Sequence, residues 1–186
     1  MKKSPSSSQI IEQTKKWITD VVVGCNFCPF ASRPLMQQRI HYQVDMSTAI
    51  RPAAEAFLKE CRRLDETKGI ETSLLILPNA VPLFNDYLDL VALAEVILKR
   101  NGYESVYQVA GFHPLYRFSH AGADDASNYT NRSIYPMLHL LREESISQAL
   151  RHYSHPEKIP ERNIQFAREK GVTYMKMLRD ACLSEG

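Results

Sequence analysis

The sequence predicts an α/β domain with a small, mainly parallel sheet of three to four strands covered by helices, followed by two C-terminal helices. Segments with helical spacing of apolar residues alternate with short strand-like segments, and short turns join them. This alternation favours right-handed crossovers between parallel strands. The apolar run at 74–77 supports the prediction, because such a run is typical of a strand buried on both faces.

Each element is predicted from a local pattern. Helices are indicated where apolar residues recur every three or four positions, and Gly24 and Ser47 are expected to cap the first two. Alternation, as in Ile40, Tyr42 and Val44, indicates a strand. In chain order the sequence predicts helix 8–23, strand 39–44, helix 47–69, strand 71–77, helix 84–99, strand 105–110, helix 136–152 and helix 161–183, with 112–118 as a candidate antiparallel fourth strand.

Composition excludes several classes of protein. A chain of 186 residues with 44% hydrophobic content suits one domain over 1–186, in which 1–8 are expected to form a flexible tail. The net charge of +2 and the lack of a basic stripe argue against nucleic-acid binding. No apolar run approaches the ~20 residues of a membrane span, and no apolar signal segment follows the first lysines.

Cysteine usage indicates the compartment. Most of the four cysteines have no obvious partner, which favours a reducing cytoplasm. We therefore expect a cytoplasmic protein that binds neither nucleic acid nor membrane, and the sequence leaves its oligomeric state open.

The segment 111–143 is the most informative part of the chain. It contains histidines, adjacent aspartates, asparagines and arginines without a repeating pattern. A structureless loop longer than ~12–15 residues is usually functional or disordered. Aromatic residues such as Tyr116, Phe118 and Tyr129 argue against disorder, so a functional site is predicted here.

Topology suggests what lies around this segment. Ligands of open α/β sheets bind outside the carboxyl ends of the strands. Asn79, Asn85 and Asp86 follow the second predicted strand, and the loop 111–135 follows the third. If the strands are parallel, these side chains share one rim of the sheet.

Three residues of the loop are candidate catalytic groups. His113 could act as a general base or metal ligand, or it could hydrogen-bond the loop backbone. Asp124 and Asp125 could bind a cation or move protons, but turn formation or capping is the alternative.

Four further residues are candidate ligand-binding groups: Asn128, Asn131, Arg132 and Ser133. They precede Pro136, a favoured first residue of a helix, and helix amino termini attract phosphate and carboxylate. Alternatively, Arg132 pairs with Asp124 or Asp125 and holds the loop in place.

The predicted helix after Pro136 adds His139 and Arg142 as ligand-binding candidates. At this spacing they share a helical face with Glu143. A histidine and a glutamate so placed can chelate a metal, but such surface pairs are common, and no metal is assigned.

Cys28 is a candidate nucleophile in the segment Cys25-Asn-Phe-Cys28-Pro29. Pro29 begins a turn, and a thiol at the cap of a turn has a lowered pKa. A structural zinc site needs four ligands, and no second pair is present. We expect Cys25 and Cys28 to form neither a disulfide nor a zinc site; a buried structural Cys28 is the alternative.

The motifs CPFA at 28–31, GFHP at 111–114 and TNRSIYPMLHLLRE at 130–143 resemble an uncharacterised bacterial domain-of-unknown-function family, number fourteen-fifteen. The resemblance spans nearly the whole chain. It implies a self-contained cytoplasmic domain and transfers no reaction, cofactor or catalytic residue.

Three functions are consistent with these residues. The first is an enzyme that binds a small phosphate- or carboxylate-bearing metabolite in a polar pocket built from 111–143. The second is a non-enzymatic module whose polar loop is internally hydrogen-bonded, and the third is a metal-dependent hydrolase. A pocket with unpaired polar groups separates the first from the second.

Overall fold

The computed structural model describes residues 4–151 and 153–184, which form three layers with a four-stranded sheet in the middle. The strands are β1 (Ile40–Val44), β2 (Thr72–Ile76), β3 (Tyr107–Phe112) and β4 (Met137–Arg142). The helices are α1 (Ser7–Trp17, continued by a π-helical turn over Ile18–Val23), α2 (Ser32–Met36), α3 (Ile50–Glu66), α4 (Phe84–Arg100), α5 (Glu143–Arg151) and α6 (Ile159–Asp180). Short 3-10 helices cover Ala126–Thr130, Pro156–Lys158 and Ala181–Leu183. The α/β class and the two C-terminal helices are confirmed.

The strand order is β1-β2-β4-β3. β1 pairs with β2 in parallel, whereas β4 is antiparallel to both β2 and β3. The three strands predicted from the sequence therefore run in the same direction, as expected. The expectation of a mainly parallel sheet needs correction, however, because β4 lies between β2 and β3 and makes two of the three pairings antiparallel.

The fourth strand is not the predicted one. Segment 112–118 leaves the sheet after Phe112, and β4 instead comes from the segment predicted as helix 136–152. A short apolar run such as 137–141 fits a buried strand and a buried helix equally well by spacing alone. Segment 137–142 forms a strand because it lies between β2 and β3 and pairs with both, and the helix α5 begins only at Glu143.

Each face of the sheet has its own apolar core. Helices α3 and α4 pack on one face, around Phe57, Leu75 and Leu138. The other face is covered by α1, its π-helical turn, α6 and the loop before β4, around Trp17, Leu74 and Met137. The strand β2 is buried along its whole length, as predicted.

Helix ends differ from the prediction in detail. Ser6 caps α1 by accepting the Gln9 N–H, so part of the expected tail belongs to this helix, and residues 1–3 lie outside the described part of the chain. Ala49, not Ser47, precedes α3, and the Ser47 N–H binds Asp45. Gly24 follows the π-helical turn as its cap, and a larger residue does not fit there because a Cβ would lie 2.3 Å from the Asp20 carbonyl oxygen.

No helix within residues 4–151 and 153–184 is long and apolar enough to cross a membrane.

A buried carboxylate joins α3 to the sheet. Glu60 is 2% exposed and accepts hydrogen bonds from Ser73 Oγ at 2.6 Å and Arg63 Nε at 3.1 Å, and lies 2.8 Å from His41 Nδ1. Burial opposes its ionisation, but the bonds to His41, Ser73 and Arg63 outweigh burial and hold the pKa of Glu60 below its ordinary value. The carboxylate therefore stabilises the fold at neutral pH.

We predict that Glu60→Ala lowers the free energy of unfolding by about 3 kcal/mol at pH 7, since it leaves buried donors without an acceptor. The folded-state pKa is depressed, so this contribution is present above the unfolded pKa of about 4.3 and is lost as pH falls through the folded value. Urea denaturation between pH 7 and pH 3 measures both effects.

Glu55→Ala on the same helix is the control. Its pair with Arg51 is exposed, so a change of at most about 0.5 kcal/mol is expected. Equal losses in the two variants would contradict the prediction.

Candidate functional site

The polar segment 113–136 is a long connection between the adjacent antiparallel strands β3 and β4. Phe112 and Met137 are paired in the sheet, so the chain leaves and re-enters at one edge. A connection without a strand ladder must find other partners for its backbone N–H and C=O groups. The polar side chains of this segment supply many of them.

His113 is buried and both of its ring nitrogens are engaged. Nδ1 accepts the Leu115 N–H at 3.0 Å, so Nε2 carries the proton and donates it to the Val81 carbonyl oxygen at 3.0 Å. Burial lowers the pKa of His113, which keeps the ring neutral. The bond to Val81 joins the segments that follow β2 and β3. The geometry favours the structural alternative over a catalytic base.

Asn128 organises the centre of the loop. It is fully buried, its Oδ1 accepts the Phe118 N–H at 3.0 Å, and its Nδ2 donates to the Gly122 carbonyl oxygen at 2.8 Å. Asn131 ties the loop back to β3 through Nδ2 and the Gly111 carbonyl oxygen. The Asn128 amide is thus engaged through both its oxygen and its nitrogen, as expected of a structural residue.

Arg132 and Ser133 are occupied as well. The Arg132 guanidinium donates to the carbonyl oxygens of Tyr116 at 2.9 Å and Ala123 at 2.8 Å, and it stacks on Tyr129. Ser133 donates to the carbonyl of Tyr135. Pro136 precedes a strand, so the helix that was expected to begin there does not form. The expectation that its amino terminus would help to bind an anion is therefore wrong.

The two aspartates behave differently from each other. Asp125 caps the 3-10 helix by accepting the Ser127 N–H. It also accepts hydrogen bonds from Nη2 and Nε of Arg168 on α6, at 2.7 and 3.1 Å. The Arg168 guanidinium holds the pKa of Asp125 well below its usual range. Asp124 is exposed and has no hydrogen-bond partner among the described residues. Arg132 therefore pairs with neither aspartate, contrary to the expected alternative.

A concave site lies elsewhere in the molecule. A cavity of about 420 Å³ lies between the α1 face of the sheet, the turn at Cys28 with α2, and helix α5. Its floor contains the first residues of β1 and β2 and the last residues of β4, so it lies at the edge opposite the loop. Three candidates from the sequence line it: Cys28, His139 and Arg142. His113, Asp124, Asp125, Asn128, Asn131, Arg132 and Ser133 do not.

The cavity wall is mainly apolar, with cationic side chains added. Its apolar lining residues include Trp17, Ile18, Leu74, Phe112, Leu141 and Ile146. The lining includes four cations, Arg33, Arg39, Lys68 and Arg142, against one carboxylate, Glu71.

The four cations differ in their availability. Arg142 is fixed by Tyr107 and by the carbonyls of Leu64 and Ile70. Arg39 lies 3.8 Å from Glu71. Arg33 and Lys68 have no ion-pair partner in the part of the chain that the structure describes.

His139 lies in the cavity floor, opposite Leu74 in the sheet. Its Nε2 is 2.7 Å from the hydroxyl of Thr72, and burial lowers its pKa to about 4. The expected helical face shared by His139, Arg142 and Glu143 is wrong, because His139 and Arg142 belong to a strand.

Cys28 lies at the turn before α2 and is half-buried in the cavity wall. Burial raises the pKa of its thiol, while the backbone N–H groups of Phe30 and Ala31 bond to the sulfur and act in the opposite direction. All four cysteines are free. Within the described residues, no group of three or more His, Cys, Asp or Glu side chains could hold a metal ion, so the metal-dependent hydrolase gains no support from the geometry. That Cys25 and Cys28 bind no zinc stays a prediction.

A family model described as "Protein of unknown function (DUF1415)" matches residues 9–177. The chain belongs to this family. No curated protein and no solved structure matches it. The family thus supports the resemblance noted in the sequence and adds no reaction to the geometry.

Sequence reasoning missed several cavity residues of this family member. Arg33, Lys68 and Thr72 lie in separate segments, and Trp17 lies in the predicted helix 8–23, where an apolar residue needs no functional explanation. One signal was present: His139 interrupts an apolar run, and Thr72 begins another. A polar residue inside a run that is buried on both faces needs a partner.

We predict that Asn128→Ala lowers the free energy of unfolding by roughly 2–3 kcal/mol, because the Phe118 N–H and the Gly122 carbonyl lose their partner inside the loop. Asp124→Ala, four residues away and exposed, should change it by less than about 0.5 kcal/mol. Urea denaturation of both variants provides the comparison. A stable Asn128→Ala protein would show that the loop is not held by this amide.

Proposed function

We propose that this protein binds a small amphipathic anion, an apolar body bearing a carboxylate or phosphate, in the 420 Å³ cavity between the Cys28 turn, the sheet and α5. The observation that best supports this proposal is the combination of an apolar wall with four cationic side chains and one carboxylate. The earlier expectation of a small anionic ligand is retained, but its place moves from the loop to the cavity.

The charges support an anion. Arg33, Arg39 and Lys68 are exposed and still line the cavity, so they lie at its opening. Arg33 and Lys68 have no described partner, and their charges are therefore available. An anionic group at the opening gains from these charges without being removed from water completely, which keeps its desolvation cost low.

The wall supports an apolar body. Trp17, Phe112 and His139 form an aromatic group in the cavity, with the Trp17 and Phe112 rings edge to face at 5.2 Å. Ligand cavities usually have volumes of roughly 300–1,000 Å³, and this one falls near the lower end. A compound of roughly ten heavy atoms, its charged group included, fits within that volume.

A second candidate function is catalysis at Cys28 on such a compound. The two N–H groups that bond to its sulfur are the favouring observation, because they stabilise a thiolate once it forms. Because burial raises the pKa of this thiol, a bound ligand or base would have to assist its ionisation.

The proposal keeps the cytoplasm as the location, since all four cysteines are free. It includes neither nucleic acid nor membrane as a partner.

We predict that octanoate binds at pH 7 whereas 1-octanol and inorganic phosphate, each with one half of the required chemistry, bind much more weakly. Trp17 is the only tryptophan and lines the cavity, so its fluorescence reports binding. Calorimetry provides an independent reading. No response to octanoate in either measurement would refute the proposed function.

Charge variants test the orientation of the ligand. Arg33→Ala with Lys68→Ala should weaken octanoate binding roughly five- to tenfold, because two partly exposed ion pairs contribute together about 1 kcal/mol. Lys59→Ala with Arg62→Ala removes the same charge from exposed positions outside the cavity and should have little effect. Equal losses would indicate a general effect of net charge.

We predict that octanoate slows the alkylation of Cys28 by iodoacetamide and leaves that of Cys25 unchanged. Both thiols are partly exposed, but only Cys28 lines the cavity. Cys61 and Cys182 are buried and should react slowly with or without octanoate. Peptide mass spectrometry quantifies each site. Protection of Cys25 to the same extent would point to a global change in place of an occupied cavity.

A further inference from the structure

His139 occupies an unusual place for a polar side chain. It lies in the middle of β4, which has a neighbouring strand on both sides, and its pairing partners are Leu74 on β2 and Ala110 on β3. It is nevertheless partly exposed, and it lines the cavity. Neighbouring strands flank it on both sides, so a ligand reaches the His139 ring through the cavity.

The hydrogen bonds of Thr72 determine where the proton of this ring is. A hydroxyl has one proton, and Thr72 donates it to the Leu140 carbonyl oxygen at 2.6 Å. The 2.7 Å contact with His139 must therefore be a bond that Thr72 accepts from Nε2–H. This fixes the neutral imidazole in the tautomer whose Nδ1 has a free lone pair.

Nδ1 of His139 has no hydrogen-bond partner among residues 4–151 and 153–184. Burial lowers the pKa of the ring to about 4, so at neutral pH this nitrogen accepts a hydrogen bond and does not donate one. Because His139 lines the cavity, a donor group on a ligand can reach this nitrogen.

We propose that His139 determines the specificity of the cavity: Nδ1 accepts a hydrogen bond from a hydroxyl or N–H group on the apolar body of the bound anion. The inference rests on the proposed function, because it concerns the same cavity. The ligand class is then an amphipathic anion with a donor away from its charged group, such as a hydroxyalkanoate or an N-acyl amino acid. The exposed cations hold the anion at the opening, and Thr72 is a positioning residue that keeps the acceptor free.

The experiment compares octanoate with hydroxyoctanoates that carry the hydroxyl at successive carbons from position 4 to position 8. At pH 7 at least one isomer should bind about tenfold more tightly than octanoate in the wild-type protein. His139→Phe keeps an aromatic ring and removes both nitrogens, and in it this preference should disappear while octanoate still binds. His120→Phe makes the same change at an exposed histidine outside the cavity and should retain the preference.

A measurement on the wild-type protein keeps the test independent of variant folding. In nitrogen-15 spectra, the Nδ1 resonance of His139 should move from the free pyridine-type position when the preferred hydroxyoctanoate binds, and much less with octanoate. Thr72→Val, which removes the acceptor for Nε2–H, should reduce the preference by changing the tautomer.

The outcomes separate the two proposals. If octanoate binds but every hydroxyoctanoate binds equally well and the Nδ1 resonance does not respond, the role of His139 is overturned and the cavity proposal stands. If neither compound binds, the proposed function fails and the inference fails with it.

Discussion

The antiparallel insertion of β4 between β2 and β3 is the constraint on which the rest of this molecule depends. β3 and β4 pair from Phe112 and Met137 onward, so the chain must return to the edge that it has just left. It then leaves β4 at the opposite edge, where α5 begins at Glu143. The first requirement produces the long polar connection 113–136, and the second places α5 beside the amino ends of β1 and β2. The polar connection 113–136 and the cavity thus both result from the position of β4 in the sheet.

The loop looks like a catalytic centre because long connections and catalytic centres need similar side chains. Amides, guanidinium groups and imidazoles bind backbone groups as readily as they bind substrates. In this loop, Asn128, Arg132 and His113 satisfy backbone groups that would each cost about 1–3 kcal/mol if buried and unpaired. Their concentration is explained by that requirement. A dense group of polar residues is therefore informative about function only after its mutual hydrogen bonds have been counted.

Much of the fold follows from local patterns, and the site does not. The helices at Ile50–Glu66 and Phe84–Arg100 are long enough for their apolar spacing to identify them. The strand at Thr72–Ile76 is indicated by its short, continuous apolar run. The segment Met137–Arg142 is not identified by its spacing, because its choice between helix and strand is made by partners more than twenty residues away. The cavity assembles residues from five separate segments, and none of the lysines or arginines at its opening differs in sequence from an ordinary surface residue.

The edge at which the cavity lies has a physical reason. In a purely parallel sheet, crossover helices leave a crevice at the carboxyl ends of the strands. Here that edge is closed, because the connection before β4 folds over it and His113 binds Val81 across it. The amino edge stays open because α2 is short and α5 departs from the end of β4. With one strand reversed, the opening combines the starts of β1 and β2 with the end of β4, and the reversed strand carries His139 into its floor. The insertion of β4 therefore closes one edge of the sheet and also places His139 in the cavity that opens at the other edge.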